Sequence, residues 1–116
     1  MAIDDDLYFI SVAARMIGMH PQTLRKYERL GLVQPSRTNG SMRRYSQEEL
    51  ERLKAIKRLV GDGGINLAGV QRLLSIADVV QRIRPLLMPR DEAFSARDAR
   101  RLSHELDALT RMLGFD

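Results

Sequence analysis

The sequence predicts a mainly helical chain: a winged helix-turn-helix with a small β-hairpin wing, followed by a C-terminal coiled-coil dimerisation helix. Three observations carry that prediction. Two short amphipathic segments, near 11–16 and 21–30, are separated by a short glycine-containing turn, the arrangement of a helix-turn-helix. An Asn39-Gly40 pair lies between two short runs, 36–38 and 42–45, which is the strongest short signal for a tight hairpin. Ala99, Leu102, Leu106, Leu109 and Leu113 recur at alternating intervals of three and four, the a/d stripe of a coiled coil.

The elements follow in order. The first few residues read as a loosely held lead-in. Ser11 is placed to cap a first helix to about Met16, with Val12, Ala13 and Met16 on one face, and Gly18 to break it. Pro21 sits at the first position of a second helix, where its missing N–H is not needed. His20 before it reads as a cap or surface residue. Leu24, Tyr27 and Leu30 form the expected buried stripe, and Gly31 ends the helix. The hairpin over Ser36–Thr38 and Met42–Tyr45 is expected to turn through a type I′ Asn39-Gly40 pair. Ser46 and Glu49 form a capping box for a third helix, whose apolar face is Leu50, Leu53, Ile56, Leu59 and Val60. Asn66 caps a fourth helix to about Ile76, with Leu67, Val70, Leu73 and Leu74 inward. Residues 78–84 continue or restart it, and Pro85 and Pro89 interrupt. Three segments result: a winged-helix domain over 8–76, a linker or helix with proline breaks over 77–94, and a dimerisation helix over 95–114. The tail stripe either pairs two copies of the chain or packs back on its own domain.

Composition removes several function classes. The 116 residues contain no cysteine, so disulfide scaffolds, zinc–thiolate sites and cysteine nucleophiles are excluded. The two histidines, His20 and His104, are far apart, so no histidine metal site and no metal cofactor is expected. There is no glycine-rich phosphate loop and no nucleophile elbow, so no enzyme is predicted. Asp4-Asp5-Asp6 reads as a solvated cluster. No apolar run approaches a membrane span, and nothing directs the chain out of the cytoplasm.

Charge is more informative. The net charge is +4, from 19 basic and 15 acidic residues. Residues 1–76 hold 12 basic and 8 acidic residues, whereas 77–116 hold 7 of each. Between His20 and Tyr45 stand Arg25, Lys26, Arg29, Arg37, Arg43 and Arg44, with Glu28 the lone acid. A localised positive field is the footprint of a nucleic-acid-binding protein, or else a solvated basic surface.

The second helix favours the former. With Leu24, Tyr27 and Leu30 inward, Gln22, Thr23, Arg25, Lys26 and Arg29 face outward or to the flanks. Arginine reads guanine, glutamine reads adenine, and threonine touches a thymine methyl or a phosphate. The first residues of a recognition helix reach the bases, which selects Gln22, Thr23 and Arg25. Lys26 and Arg29 fall where phosphates lie, Arg29 alternatively pairing with Glu28. In the hairpin, Arg43 and Arg44 alternate across the ribbon, so one faces DNA and the other flanks it. Tyr27 and Tyr45 divide between core packing and a hydroxyl donated to phosphate.

The run ISVAARMIGMHPQTLRKYERLGLVQPSRTNGSMRRYS, with GINLAGVQRLL beyond it, resembles the DNA-binding domain of the MerR family across residues 8–76. HPQTLRKYERLGLVQPSRT with GINLAGV is similar to the HspR branch, repressors of heat-shock chaperone genes. The resemblance implies a homodimer on an inverted-repeat DNA operator, with the second helix in the major groove and the wing on the flanking backbone. By position it implies contacts from Thr23, Arg25, Tyr27, Arg37, Arg43 and Tyr45. The family commonly carries two tyrosines where this chain has Lys26-Tyr27, and a tyrosine where it has Met42. The branch also implies the Hsp70 chaperone DnaK as co-repressor. Leu86, Leu87 and Met88, between Arg84 and Arg90, resemble the short extended apolar runs such chaperones take, or else bury in the dimer. A small-molecule effector is not expected, because only about 40 residues follow the fourth helix. The remaining alternatives are another MerR-type regulator or an architectural, excisionase-like protein that bends DNA.

Overall fold

The computed structural model describes residues 7–87 and 93–115. The chain divides into two compact units, 1–66 and 67–116. The first contains β1 (Leu7–Phe9), α1 (Ile10–Ile17), α2 (Pro21–Arg29), β2 (Ser36–Arg37), β3 (Arg43–Ser46) and α3 (Gln47–Val60). The second contains α4 (Leu67–Leu87) and α5 (Ala96–Met112). Mainly helical content with a helix-turn-helix and a strand-paired wing matches the predicted class.

In the first unit the strands form an antiparallel sheet in the order β1-β3-β2. Before the first helix, 7–9 form β1, where Tyr8 pairs with Tyr45 and Phe9 with Arg44; the rest of the expected loose lead-in, 1–6, lies outside the described residues. The chain leaves β1 directly into α1, so extended Phe9, which supplies no side-chain cap, starts the helix in place of Ser11. This earlier start buries Ala13, Ala14 and Ile17 and leaves Val12 and Met16 exposed. Gly18, at φ 68°, ends α1.

The short turn delivers the chain to α2, where Pro21 is the first residue and His20 Nδ1 accepts from the Gln22 N–H at 3.0 Å. Leu24 and Tyr27 are buried, but Leu30 is the C-cap and exposed. The helix closes through Gly31, whose N–H donates to Glu28 O while that of Leu32 donates to Tyr27 O. This closure turns the chain and seats Leu32 and Val33 in the core in place of Leu30.

α3 carries the predicted capping box: Ser46 Oγ accepts from Glu49 N–H, and Ser46 N–H donates to Glu49 Oε1. Leu50, Leu53 and Ile56 are its buried stripe. Its polar side chains bind the helix-turn-helix backbone. Lys57 Nζ donates to Ile17 O at 2.9 Å, and Arg52 Nε to Leu32 O at 2.7 Å. A cation on the C-terminal carbonyls of α1 also suits the helix dipole.

In the second unit α4 runs unbroken through Pro85 to Leu87, which corrects the expected interruption. Pro85 lies inside α4, two residues before its last described residue, and forgoes the one bond its N–H would make to the carbonyl four residues earlier. Leu86 and Leu87 are therefore helical rather than extended; Leu86 is buried and Leu87 is exposed. Met88, Pro89 and Arg90 lie outside the described residues, as do Asp4, Asp5 and Asp6. Val70, Leu74, Val79, Ile83 and Leu86 are the buried residues of α4, and Leu73 faces out. α5 begins at a second capping box, Ser95 with Asp98. It packs on α4, and Arg82 Nε donates to Glu105 Oε2 at 2.9 Å. Leu102 and Leu109 are half-buried, while Ala99, Leu106 and Leu113 are exposed.

Candidate nucleic-acid interface

α2 divides cleanly into two faces. Leu24 and Tyr27 hold it to the core. Gln22, Arg25, Lys26 and Arg29 stand at i, i+3, i+4 and i+7, so they form one stripe on the opposite side. Thr23 flanks that stripe and is half-buried. The side chains of Gln22, Arg25, Lys26 and Arg29 make no hydrogen bond or ion pair with any other described residue. Their donors are available to a ligand, and Arg29 does not take up the alternative pairing with Glu28.

Glu28 is committed elsewhere. It lies on the flank of α2 toward the wing and receives two arginines. Its Oε2 accepts from Arg37 Nη2 at 2.8 Å, and its Oε1 accepts from Arg43 Nε. Burial works to raise the carboxyl's pKa, but the hydrogen bonds from Arg43 and Arg37 outweigh it and hold it below the usual carboxylate value. The lone acid of the basic stretch therefore fastens the wing to α2. Sequence reasoning did not identify this role; the signal was the isolation of one carboxylate among six cations.

The hairpin explains why both arginines reach Glu28. Arg37 pairs with Arg43, and Ser36 with Arg44, across the two strands. Arg37 and Arg43 thus share a face, as does Tyr45 two residues along β3, and Arg44 takes the other. The loop is not the expected type I′ pair. Ser41 N–H donates to Thr38 O and Thr38 N–H to Met42 O, while Ser41, at φ 65°, holds the left-handed position. Thr38 Oγ1 accepts from Gly40 N–H and Met42 N–H. The hydroxyl favours a three-residue loop, a type I turn plus one left-handed residue, which moves the positive φ from Asn39-Gly40 to Ser41. Arg37 Nη1 also reaches Ser41 O at 3.1 Å, tying in the loop tip.

Arg44 is the wing arginine without an ion pair. It is half-buried beside Phe9 in the sheet, and its Nε has no partner. Tyr45 lies wholly inside: it is 0% exposed, its hydroxyl has no hydrogen-bond partner, and burial pushes its pKa up to about 12. Tyr27 is also in the core, at 6% exposure. The structure thus gathers Gln22, Thr23, Arg25, Lys26 and Arg29 on one helix, adds the arginine-bearing wing, and keeps both tyrosines largely from the surface. Among the described residues, no group of three or more His, Asp or Glu is placed to hold a metal ion, and no helix is long and apolar enough to cross a membrane.

Comparison with known proteins agrees with this architecture. Residues 8–76 match the family model for the MerR HTH family regulatory protein. The chain is 49% identical over 81 residues to a Streptomyces coelicolor protein named "Putative heat shock protein HspR", covering 70% of this chain and 54% of that one. It is 40% identical over 70 residues to the mercuric resistance operon regulatory protein of Bacillus cereus, covering 60% and 52%. The chain therefore spans about half the length of these two relatives. Among solved structures, it shares its fold with HiNmlR, a MerR family regulator lacking the sensor domain, crystallised on promoter DNA. The TM-score is 0.59 at 22% identity, over 93% of this chain and 79% of that one.

Proposed function

The chain belongs to the MerR HTH family of regulatory proteins, and from that premise we propose that it is a sequence-specific DNA-binding repressor of heat-shock chaperone genes, acting as a homodimer on an inverted-repeat operator. The observation that carries the DNA reading is the stripe of Gln22, Arg25, Lys26 and Arg29, whose side chains are unpaired, beside an arginine-bearing wing. The 49% identity to the Streptomyces coelicolor relative supports the heat-shock assignment.

In this reading α2 enters the major groove. Gln22, Thr23 and Arg25, near its N-terminus, read base edges, and Lys26 and Arg29 grip phosphates. Arg44 is the wing's free cation for the flanking backbone, with Arg37 and Arg43 presented beside it. Residues 8–76 form the DNA-binding part, 77–94 connect, and 95–114 pair the two copies. Hsp70 serves as co-repressor; Leu86 and Leu87, being helical with Leu86 buried, do not form the extended run it would take.

A gel-shift titration on the upstream regions of the host's chaperone operons, with and without Hsp70, tests the proposal. Footprint-sized binding that Hsp70 strengthens supports it. Equal affinity for unrelated DNA removes the repressor reading and favours an architectural DNA-bending role. Two substitutions separate the roles along α2. Arg25→Ala is expected to cost about 1–3 kcal/mol on the preferred site and to relax selectivity at one base position. Lys26→Ala should weaken all duplexes alike and lower the salt dependence. A uniform loss from Arg25→Ala contradicts its base-reading role.

A further inference from the structure

We infer that Glu28 is a specificity-determining positioning residue: it holds Arg37 and Arg43 so that wing and α2 meet DNA as one body, and it keeps their charge from gripping phosphates indiscriminately. The inference rests on the DNA-binding reading above.

Arg37 and Arg43 are direct cross-strand partners on one face of the hairpin. Two like charges in that relation repel and would spread a two-stranded ribbon. Glu28 resolves the conflict by placing one carboxylate oxygen on each guanidinium. The three side chains are unequally exposed: 20% for Glu28, 24% for Arg43 and 41% for Arg37. The Arg43 pair is thus the more sheltered from water, where a charge-assisted bond is stronger and more directional. Arg37 extends the tie to the loop tip through Ser41 O. The wing orientation is therefore set from α2, the helix that carries the base-reading stripe.

The charge balance gives the second half of the argument. The carboxylate cancels one of two adjacent positive charges, so the cluster contributes one net charge instead of two. Non-specific binding scales with the number of phosphates neutralised. Glu28 therefore lowers affinity for arbitrary DNA while preserving the geometry that a correct site rewards.

The test uses the full chain and two duplexes: one enriched by the wild-type chain from a random-sequence pool, and a scrambled duplex of the same length and composition. Affinity for both is measured across a series of salt concentrations. Glu28→Gln should bind the scrambled duplex several-fold more tightly, with a salt slope steeper by about one. It should bind the enriched duplex more weakly, so that the ratio of affinities falls about tenfold. Glu28→Asp keeps the charge but shortens the reach; it should keep the wild-type slope while losing part of the ratio. Adding Arg37→Gln and Arg43→Gln to Glu28→Gln should remove the gained affinity for scrambled DNA. If Glu28→Gln loses both duplexes in equal proportion at an unchanged slope, or keeps the wild-type ratio, the inference fails. Circular dichroism checks folding, and if Glu28→Gln unfolds, Glu28→Asp decides by its slope and ratio. A wild-type chain that enriches no sequence removes the DNA-reading proposal and this one together.

Discussion

At neutral pH the Glu28 carboxylate is ionised between two guanidiniums, and that charge state ties stability to acidity. Its folded pKa is lowered, because the hydrogen bonds from Arg43 and Arg37 outweigh the cost of burial. A lowered carboxylate contributes stability that is fully present above the unfolded value, about 4.3, and is lost as pH falls through the folded value. Thermal melts from neutral pH downward should show stability falling below about pH 4.3, and Glu28→Gln should make the fall shallower. It should not abolish it, since Glu105, held by Arg82, and Glu51, held by Lys54, are lowered too. An equally steep fall in the variant would show that Glu28 carries no such linkage. Tyr45 gives the opposite case. Its buried hydroxyl has no partner, so Tyr45→Phe removes an unsatisfied group and should leave stability unchanged or raise it by about 1 kcal/mol, with DNA affinity unaltered. A loss of affinity would show that the hydroxyl reaches the nucleic acid. Both residues were only partly legible in the sequence, for one geometric reason. A two-residue Asn39-Gly40 turn places Arg37 opposite Met42, whereas the three-residue loop places it opposite Arg43. A shift of one residue in a ribbon changes every partner, and the Thr38 hydroxyl that selects the longer loop gives no periodic signal.

At the scale of elements, the helix-turn-helix depends on how α1 ends. Gly18 takes the left-handed conformation, and a Cβ there would stand 3.0 Å from Lys57 Nζ, the ammonium that holds the Ile17 carbonyl. Gly18→Ala should cost about 1–2 kcal/mol from the backbone conformation, with a further loss if Lys57 is displaced. Denaturant unfolding measures the first part, and DNA affinity should fall with it because α2 starts three residues later. A neutral Gly18→Ala would mean that the turn adapts and that α3 does not fix it. Elements such as α2 and α3 were legible because their signals are local: Pro21, the Ser46–Glu49 box, and apolar spacings of three and four. β1 was not, since three residues are too few for alternation to register and its partner β3 is more than thirty positions away. The full reach of α4 was missed because a proline was read as a stop. A proline removes one ladder bond without necessarily ending a helix, and α4 continues through Pro85.

For the whole molecule the open physical question is what covers α5. Leu106 is 47% exposed and Leu113 60%, on a helix whose a/d stripe the sequence already marked. α4 covers Leu102 and Leu109 only in part, so packing within the second unit leaves the rest of the stripe to water. In the proposed homodimer the second copy would cover it and also supply what a short DNA-binding unit lacks on its own. A monomer reads one half-site with a single recognition helix. A dimer reads two half-sites on one face of the duplex, roughly 34–36 Å apart, and the second contact forms at high effective concentration, raising affinity by on the order of 10²–10⁴. Leu106→Glu places a charge in the stripe without touching the basic face of α2. It should convert the chain to a monomer in sedimentation, make thermal stability independent of protein concentration, and weaken binding to a two-half-site duplex by about that factor, while binding to a single half-site changes little. If the variant sediments as the wild type does, α5 does not hold the copies together. If the wild type is already a monomer at concentrations where it occupies the operator, the homodimer proposal fails, and the exposed leucines of α5 serve some other contact.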